Sequence, residues 1–196
     1  MNIIEYLAIG IAFGIESMIV MYRHARPNGL RLTQGLMASL LFAVIYAILA
    51  FTGILIGTML HFDDMINPNS EAYSTTNALV YVGLTVVVVI KMLLAMHNEK
   101  KETKTIVYDI RRVSTVVALA IATGINLLII YLGVGFADGN SHKFITILLP
   151  LIISVFLLSY LGIMFGRQQV ALRPRRWQYV ISILLLAIAI YHVINS

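Results

Sequence analysis

Residues 11–20, IAFGIESMIV, and residues 121–130, IATGINLLII, are two versions of one apolar pattern within the same chain. Four residues of the first stretch recur 110 positions later: Ile11, Ala12, Gly14 and Ile15 return as Ile121, Ala122, Gly124 and Ile125. At the next position Glu16 is replaced by Asn126. The pattern therefore suggests an internal repeat, and it places one carboxyl group inside a long apolar segment.

The composition around these stretches is that of an integral membrane protein. Of 196 residues, 60% are hydrophobic and only 12% are charged, with a mean hydropathy of +0.90. Soluble domains carry about 25% charged residues. Six apolar runs are long enough to cross a bilayer as helices, so we predict an all-α membrane protein with six transmembrane helices at 3–22, 34–60, 77–97, 113–136, 144–166 and 177–194.

The basic residues indicate how these helices are oriented. Twelve of the 14 Lys and Arg residues lie in the first, third and fifth loops, while Lys91 lies within the third run and Lys143 in the fourth loop. Basic loops stay in the cytoplasm, which predicts both termini outside. The net charge of +5 is then a signal of topology, and nucleic acid is not an expected partner.

A second internal match supports the repeat. GILIG at 53–57 and GIMFG at 162–166 are separated by 109 positions, almost the same offset as the first match. We predict two three-helix units, 1–97 and 110–196, joined by a cytoplasmic linker at 98–109. Because three is an odd number, the second unit enters the membrane from the opposite side, which gives inverted repeats with a binding site where they meet. Small residues permit close helix packing, the role expected of Gly53, Gly57, Gly162 and Gly166.

Polar side chains inside the membrane are the candidate site. An unpaired carboxylate there costs a few kcal/mol, so Glu16 is either functional or a protonated acid that bonds a neighbouring helix. Lys91, predicted at a similar depth, is either its counter-charge or a side chain that reaches the cytoplasmic interface. Asn126 could bind a cation through its oxygen or bridge two helices. Further oxygens are expected from Ser17, Tyr46 and Thr123.

Enzyme chemistry has no counterpart in the sequence. The chain contains no cysteine, which excludes thiol nucleophiles and thiolate metal sites. It also lacks a phosphate-binding glycine loop, a nucleophile elbow and a zinc signature. We therefore expect neither an enzyme nor a cofactor.

Several short motifs resemble those of the bacterial MntP-type manganese efflux pumps, within the wider lysine-exporter-like superfamily. The motifs are AFGIES at 12–17, NGLRL at 28–32, IKMLL at 90–94, AIATGIN at 120–126 and LGIMFGR at 161–167. The resemblance implies a multi-pass protein of the bacterial cytoplasmic (inner) membrane that exports Mn²⁺. It also implies that Glu16 and Asn126 are the metal ligands, standing where the family has two aspartates. Ala95 stands where an acidic residue often ends the third-helix motif.

Three functions remain open at this stage. The first is efflux of Mn²⁺ or a similar cation from a site at the repeat interface. The second is transport of another small solute, which the loss of carboxylates favours. The third is a membrane scaffold or complex subunit that keeps the fold without transport. The expected partners are the lipid bilayer and a small cation, with a homo-oligomer or a partner in a membrane complex left open.

Overall fold

The computed structural model describes residues 2–25, 31–61, 70–98, 108–138 and 144–195. These residues form six long helices: α1 (Ile3–Ala25), α2 (Leu32–Leu60), α3 (Ser70–Asn98), α4 (Val113–Asp138), α5 (Phe144–Arg167) and α6 (Pro174–Asn195). All six are long and apolar enough to span a membrane. The prediction of a six-span, all-helical membrane protein is confirmed, while most of the predicted linker lies outside the described residues.

The helices extend beyond several of the apolar runs that predicted them. Helix α3 begins at Ser70, ahead of the run at 77–97, and α1 continues to Ala25, past the run at 3–22. Hydropathy marks the part of a helix that lies in hydrocarbon, whereas backbone hydrogen bonding continues into the polar interface. The longer α1 places Glu16 nearer the middle of its helix than the sequence predicted.

Consecutive helices run in opposite directions, as contacts at the two ends of the bundle show. At one end the Tyr22 hydroxyl, near the end of α1, donates to the Val170 carbonyl between α5 and α6, at 2.8 Å. At the other end the Tyr6 hydroxyl, near the start of α1, donates to Asp138 at the end of α4, also at 2.8 Å. The first end, which also contains the described parts of the basic loops, is called the basic end below, and the second is called the opposite end.

The two halves of the chain are interleaved in the packing. Helix α1 packs most extensively on α5, and α2 packs most extensively on α4, so each contact joins the first three helices to the last three. Smaller interfaces join α2 to α5, α3 to α4, α3 to α6 and α1 to α6. The core therefore lies between the two halves, and any group at its centre is surrounded by helices of both.

Glycines permit the two largest interfaces to close. A Cβ added at Gly53 of α2 would lie 2.6 Å from the Leu128 carbonyl oxygen of α4. One added at Gly162 of α5 would lie closer than 3.0 Å to the Met18 carbonyl oxygen of α1. Gly57 likewise faces the backbone of α4, and Gly166 is buried in α5. At Gly53, Gly57 and Gly162 the facing backbone is so close that a larger residue would push the two helices apart.

The outward faces of the bundle are apolar. Large side chains such as Ile4, Met37, Val87, Ile145 and Ile183 are more than half exposed in the isolated chain. In a bilayer these faces contact lipid tails, which are as apolar as the side chains themselves.

Candidate cation site

A chain of polar side chains joins α3, α4 and α1 and runs from the edge of the bundle into its interior. The Lys91 ammonium donates to the Asn126 side-chain oxygen at 2.9 Å. The Asn126 amide nitrogen in turn donates to Glu16 Oε1 at 3.2 Å. Asn126 thus uses its oxygen toward the lysine and its nitrogen toward the carboxyl group, the arrangement in which both ends of the amide have suitable partners.

Glu16 itself has one occupied and one unoccupied oxygen. Its side chain is half-buried, and Oε2 is buried without a hydrogen-bond partner among the described residues. A buried carboxylate oxygen without a partner is costly. Among the described residues, Glu16 Oε2 is the only carboxylate oxygen that is buried without a hydrogen-bond partner.

Lys91 contacts the site through Asn126. The sequence left it open whether Lys91 is the counter-charge of Glu16 or reaches the cytoplasmic interface; in the structure its hydrogen bond goes to Asn126, and no Lys91–Glu16 ion pair occurs within the part of the chain that the structure describes. Its residue is exposed, so the ammonium approaches from the edge of the bundle. Asn126 therefore connects Lys91 to Glu16 by two hydrogen bonds.

Tyr46 and Thr123 form a second polar contact on α2 and α4. The Tyr46 hydroxyl donates to Thr123 Oγ at 2.9 Å, and Thr123 donates to the Leu119 carbonyl of its own helix at 2.8 Å. Thr123 lies one turn before Asn126, and the ring of Tyr46 is fully buried. This contact fixes the facing surfaces of α2 and α4 next to the Glu16–Asn126 bond.

Ser17 faces α5, a different helix from those that the other predicted site residues contact. Its hydroxyl donates to the Gly14 carbonyl at 2.7 Å and accepts from Ser159 of α5 at 2.9 Å. Both serines are fully buried. Sequence reasoning missed Ser159, since one serine in an apolar helix has no pattern that distinguishes it from a packing residue.

Two further observations concern the groove at the basic end and the side chains available to bind a metal ion. A groove of about 350 Å³ lies at the basic end between α2 and α4, lined by Gln34, Met37, Ile110 and Arg111 among others, and it includes none of the predicted site residues. Within the described ranges no group of three or more His, Cys, Asp or Glu is placed to hold a metal ion. A cation at Glu16 would therefore depend on amide, hydroxyl or water oxygens for its remaining ligands.

Six membrane-spanning helices around an interior carboxylate define this chain as a multi-span membrane protein with polar groups at its core. A family model described as "Putative manganese efflux pump" matches residues 29–193, and the chain belongs to that family. The predictions of this family, and of a transporter that is not an enzyme, are confirmed. Comparisons with curated proteins and with solved structures found no match.

The limits of the family match bear on the site. It begins at residue 29 and therefore covers α2 to α6, with Lys91, Asn126 and Tyr46, but not α1. Glu16 lies before the matched residues, so the assignment of Glu16 to the candidate cation site depends on its contacts in the structure.

Proposed function

We propose that this protein exports Mn²⁺, or a cation of similar chemistry, from the cytoplasm through a site centred on Glu16. The observation that carries the proposal is the buried Oε2 of Glu16, which has no hydrogen-bond partner among the described residues. Family membership supplies the cation, since Mn²⁺ prefers carboxylate, carbonyl and water oxygens. Family membership therefore favours cation export over the transport of another solute and over a scaffold role, the two other functions that the sequence left open.

The hydrogen bonds suggest how the site alternates between empty and loaded forms. Without a cation, Lys91 occupies the Asn126 oxygen, and the Asn126 amide nitrogen donates to Glu16. An arriving cation would bind Glu16 Oε2 and compete with Lys91 for the Asn126 oxygen. Because Glu16 supplies only one negative charge, the cation would retain part of its water shell and bind weakly enough to be released. Weak binding suits a transported substrate.

The inverted repeat is part of this proposal, and three observations support it. The first is the packing pattern. Exchanging α1, α2 and α3 with α4, α5 and α6 turns the α1–α5 interface into the α4–α2 interface, and α3–α4 into α6–α1. The remaining two interfaces, α2–α5 and α3–α6, are exchanged with themselves. A two-fold relation between the halves gives this pattern.

The second observation is the pairing of glycines with backbone. Gly53 lies against the carbonyl of Leu128, and Gly162 lies against the carbonyl of Met18. By the offsets of the sequence matches, 109 and 110, these contacts are equivalent to one another. The two largest interfaces would then be two copies of one helix contact.

The third observation supports a site on the proposed two-fold axis. Glu16 and Asn126 occupy equivalent positions of the two repeats, 110 residues apart, and they bond to each other. Two equivalent groups can touch across a two-fold axis only where they lie beside it. The proposed cation site is therefore at the centre of the two halves, where rocking of one half against the other would expose it to alternate sides.

The orientation follows from the basic end. The described arginines near the helix termini lie at this end: Arg23, Arg31, Arg111, Arg112, Arg167, Arg173 and Arg176. The positive-inside rule assigns this end to the cytoplasm. The opposite end, with both termini, would face outward from the bacterial cytoplasmic membrane.

A growth assay tests the proposed function. Cells that lack their own manganese exporters would express the parent, Glu16→Gln, or Asp109→Asn as a matched change of carboxylate to amide outside the site. The parent and Asp109→Asn should restore growth in excess Mn²⁺, while Glu16→Gln should not. Equal membrane levels of all three proteins must be shown by immunoblotting. Failure of the parent, or full protection by Glu16→Gln, would contradict the proposal, and a scaffold would give no manganese phenotype at all.

A further inference from the structure

A buried acid–base pair lies at the opposite end of the bundle, away from the proposed cation site. Glu5 Oε2 in the first turn of α1 lies 3.3 Å from His192 Nδ1 in the last turn of α6. The side chains are only 3% and 9% exposed. Glu5 lies about 16 Å from Glu16 along the axis of α1, at a rise of about 1.5 Å per residue. The pair is therefore separate from the site already described.

The surroundings of the pair are closed by aromatic rings. Tyr81 of α3 meets the His192 ring edge to face, with 5.3 Å between the ring centroids. Tyr81 and Tyr131 of α4 are fully buried, and their hydroxyls have no hydrogen-bond partner among the described residues. Glu5 also accepts from the backbone nitrogen of Asn2 at 3.3 Å. The pair is thus built into the protein interior and is not a surface contact.

The described residues of the helices packed around the pair contribute the following titratable groups. Helix α3 contributes Tyr81, α4 contributes Tyr131 and Asp138, and α1 contributes Tyr6, which is bonded to Asp138. Tyr191, next to His192 on α6, is half exposed. The described part of α5 at this end, from Phe144 to Leu151, has no titratable side chain. Among the groups named here, His192 is the only imidazole.

We propose that Glu5 and His192 form a proton-binding site that holds the outer ends of α1 and α6 together. This inference rests on the proposed function and orientation. When neutral His192 takes up a proton from the outer side, the imidazolium pairs with the Glu5 carboxylate and the pair has no net charge. When the proton leaves, the contact loses its ionic part and a buried carboxylate remains, so the two helices separate more easily.

The consequence for transport follows from the helices that the pair joins. Helix α1 also carries Glu16, and α6 belongs to the other half of the chain. Opening the outer end for cation release must part α1 from α6 and break the Glu5–His192 contact. Acidity on the outer side therefore stabilises the outward-closed form and slows release. The ligand that regulates release is therefore the proton.

The first arm of the test needs no manganese. Full-length protein with isotope-labelled histidine, in lipid nanodiscs, is titrated by NMR, and the His192 signal is assigned from its loss in His192→Gln. Glu5→Gln should lower the midpoint of the His192 titration, because the imidazolium loses its carboxylate partner. The exposed His97 should keep its midpoint. An unchanged His192 midpoint in Glu5→Gln would overturn the proposed proton site.

The second arm measures transport in everted membrane vesicles, whose lumen corresponds to the outer side. Parent protein should accumulate Mn²⁺ more slowly at a lumenal pH of about 5 than at about 8, by a factor on the order of ten. This factor corresponds to a coupling free energy between proton binding and cation release that equals a pKa change of about one unit. Glu5→Gln and His192→Gln should be nearly insensitive to lumenal pH, whereas the control His97→Gln should respond like the parent. A normal response in either pair variant would overturn the proposal. A parent that moves no Mn²⁺ would instead refute the proposed function, and the NMR arm would still decide the proton site.

Discussion

The close contact at Gly53 makes a sharp prediction about stability. In Gly53→Ala the new methyl carbon would lie 2.6 Å from the Leu128 carbonyl oxygen, where ordinary van der Waals contact begins at 3.4 Å. Helices α2 and α4 would have to separate by about 0.8 Å, the difference between these distances, because the obstacle is backbone that cannot rotate away. Gly83 of α3 has nothing within 4 Å of an added Cβ, which makes Gly83→Ala a matched control.

The magnitude follows from two opposing terms. Overpacking costs about 1 to 3 kcal/mol, while replacing a helical glycine with alanine gains up to about 1 kcal/mol. The gain is common to both variants, so their difference isolates the clash at about 1 to 3 kcal/mol. For a chain of this size, each kcal/mol lowers the unfolding temperature by roughly 2 to 4 °C.

Thermal unfolding of purified protein in one detergent would measure this difference. Gly53→Ala should unfold roughly 2 to 12 °C below Gly83→Ala, and Gly162→Ala should fall by a similar amount because it meets the Met18 carbonyl in the equivalent way. If Gly53→Ala and Gly83→Ala unfold at the same temperature, the argument from close backbone approach is refuted. A large drop at only one of Gly53 and Gly162 would contradict the equivalence of the two interfaces.

Three other changes test separate parts of the account. Tyr46→Phe removes the bond to Thr123 and should lower the free energy of unfolding by about 1 kcal/mol, while Phe at the exposed Tyr179 should have no effect by the same assay. Lys91→Met should make Mn²⁺ binding depend more strongly on pH, because protonation is then the main way to neutralise Glu16 without a cation. Isothermal titration calorimetry at several pH values would measure this dependence. An unchanged pH dependence would exclude Lys91 as the counter-charge of Glu16. A reporter enzyme that works only outside the cytoplasm should be active when it is fused to either terminus. Activity of a cytoplasmic reporter at the same positions would contradict the proposed orientation.

The sequence predicted the elements well because length and hydropathy determine membrane helices directly. Six apolar runs became six helices, with differences only where helices continue beyond the apolar part, as at Ser70 and Ala25. The candidate site also grouped Glu16 with Asn126, and in the structure these two side chains share a hydrogen bond.

The side-chain contacts were less predictable because helix rotation is not encoded in hydropathy. Lys91 was placed at the depth of Glu16, yet it bonds Asn126, since depth says nothing about which face of α3 carries the ammonium. Ser17 follows Glu16 directly in sequence, yet it bonds Ser159 on α5. Adjacent residues of a helix point in directions about 100° apart, so only one of them can face the axis.

The Glu5–His192 pair was missed for a different reason. Both residues lie at helix ends, where polar side chains are normally solvated and draw no attention. Their burial arises only because the start of α1 and the end of α6 meet, a contact between residues almost a full chain length apart. No local pattern could have indicated it.

The most direct test of the central claim is Mn²⁺ uptake into proteoliposomes that contain purified parent, Glu16→Gln or Asp109→Asn. Circular dichroism and unfolding temperature should be the same for all three, which separates transport from folding. The account predicts uptake by the parent and by Asp109→Asn, and none above protein-free liposomes for Glu16→Gln. Uptake by Glu16→Gln at the parent's rate would contradict the assignment of Glu16 as the cation ligand.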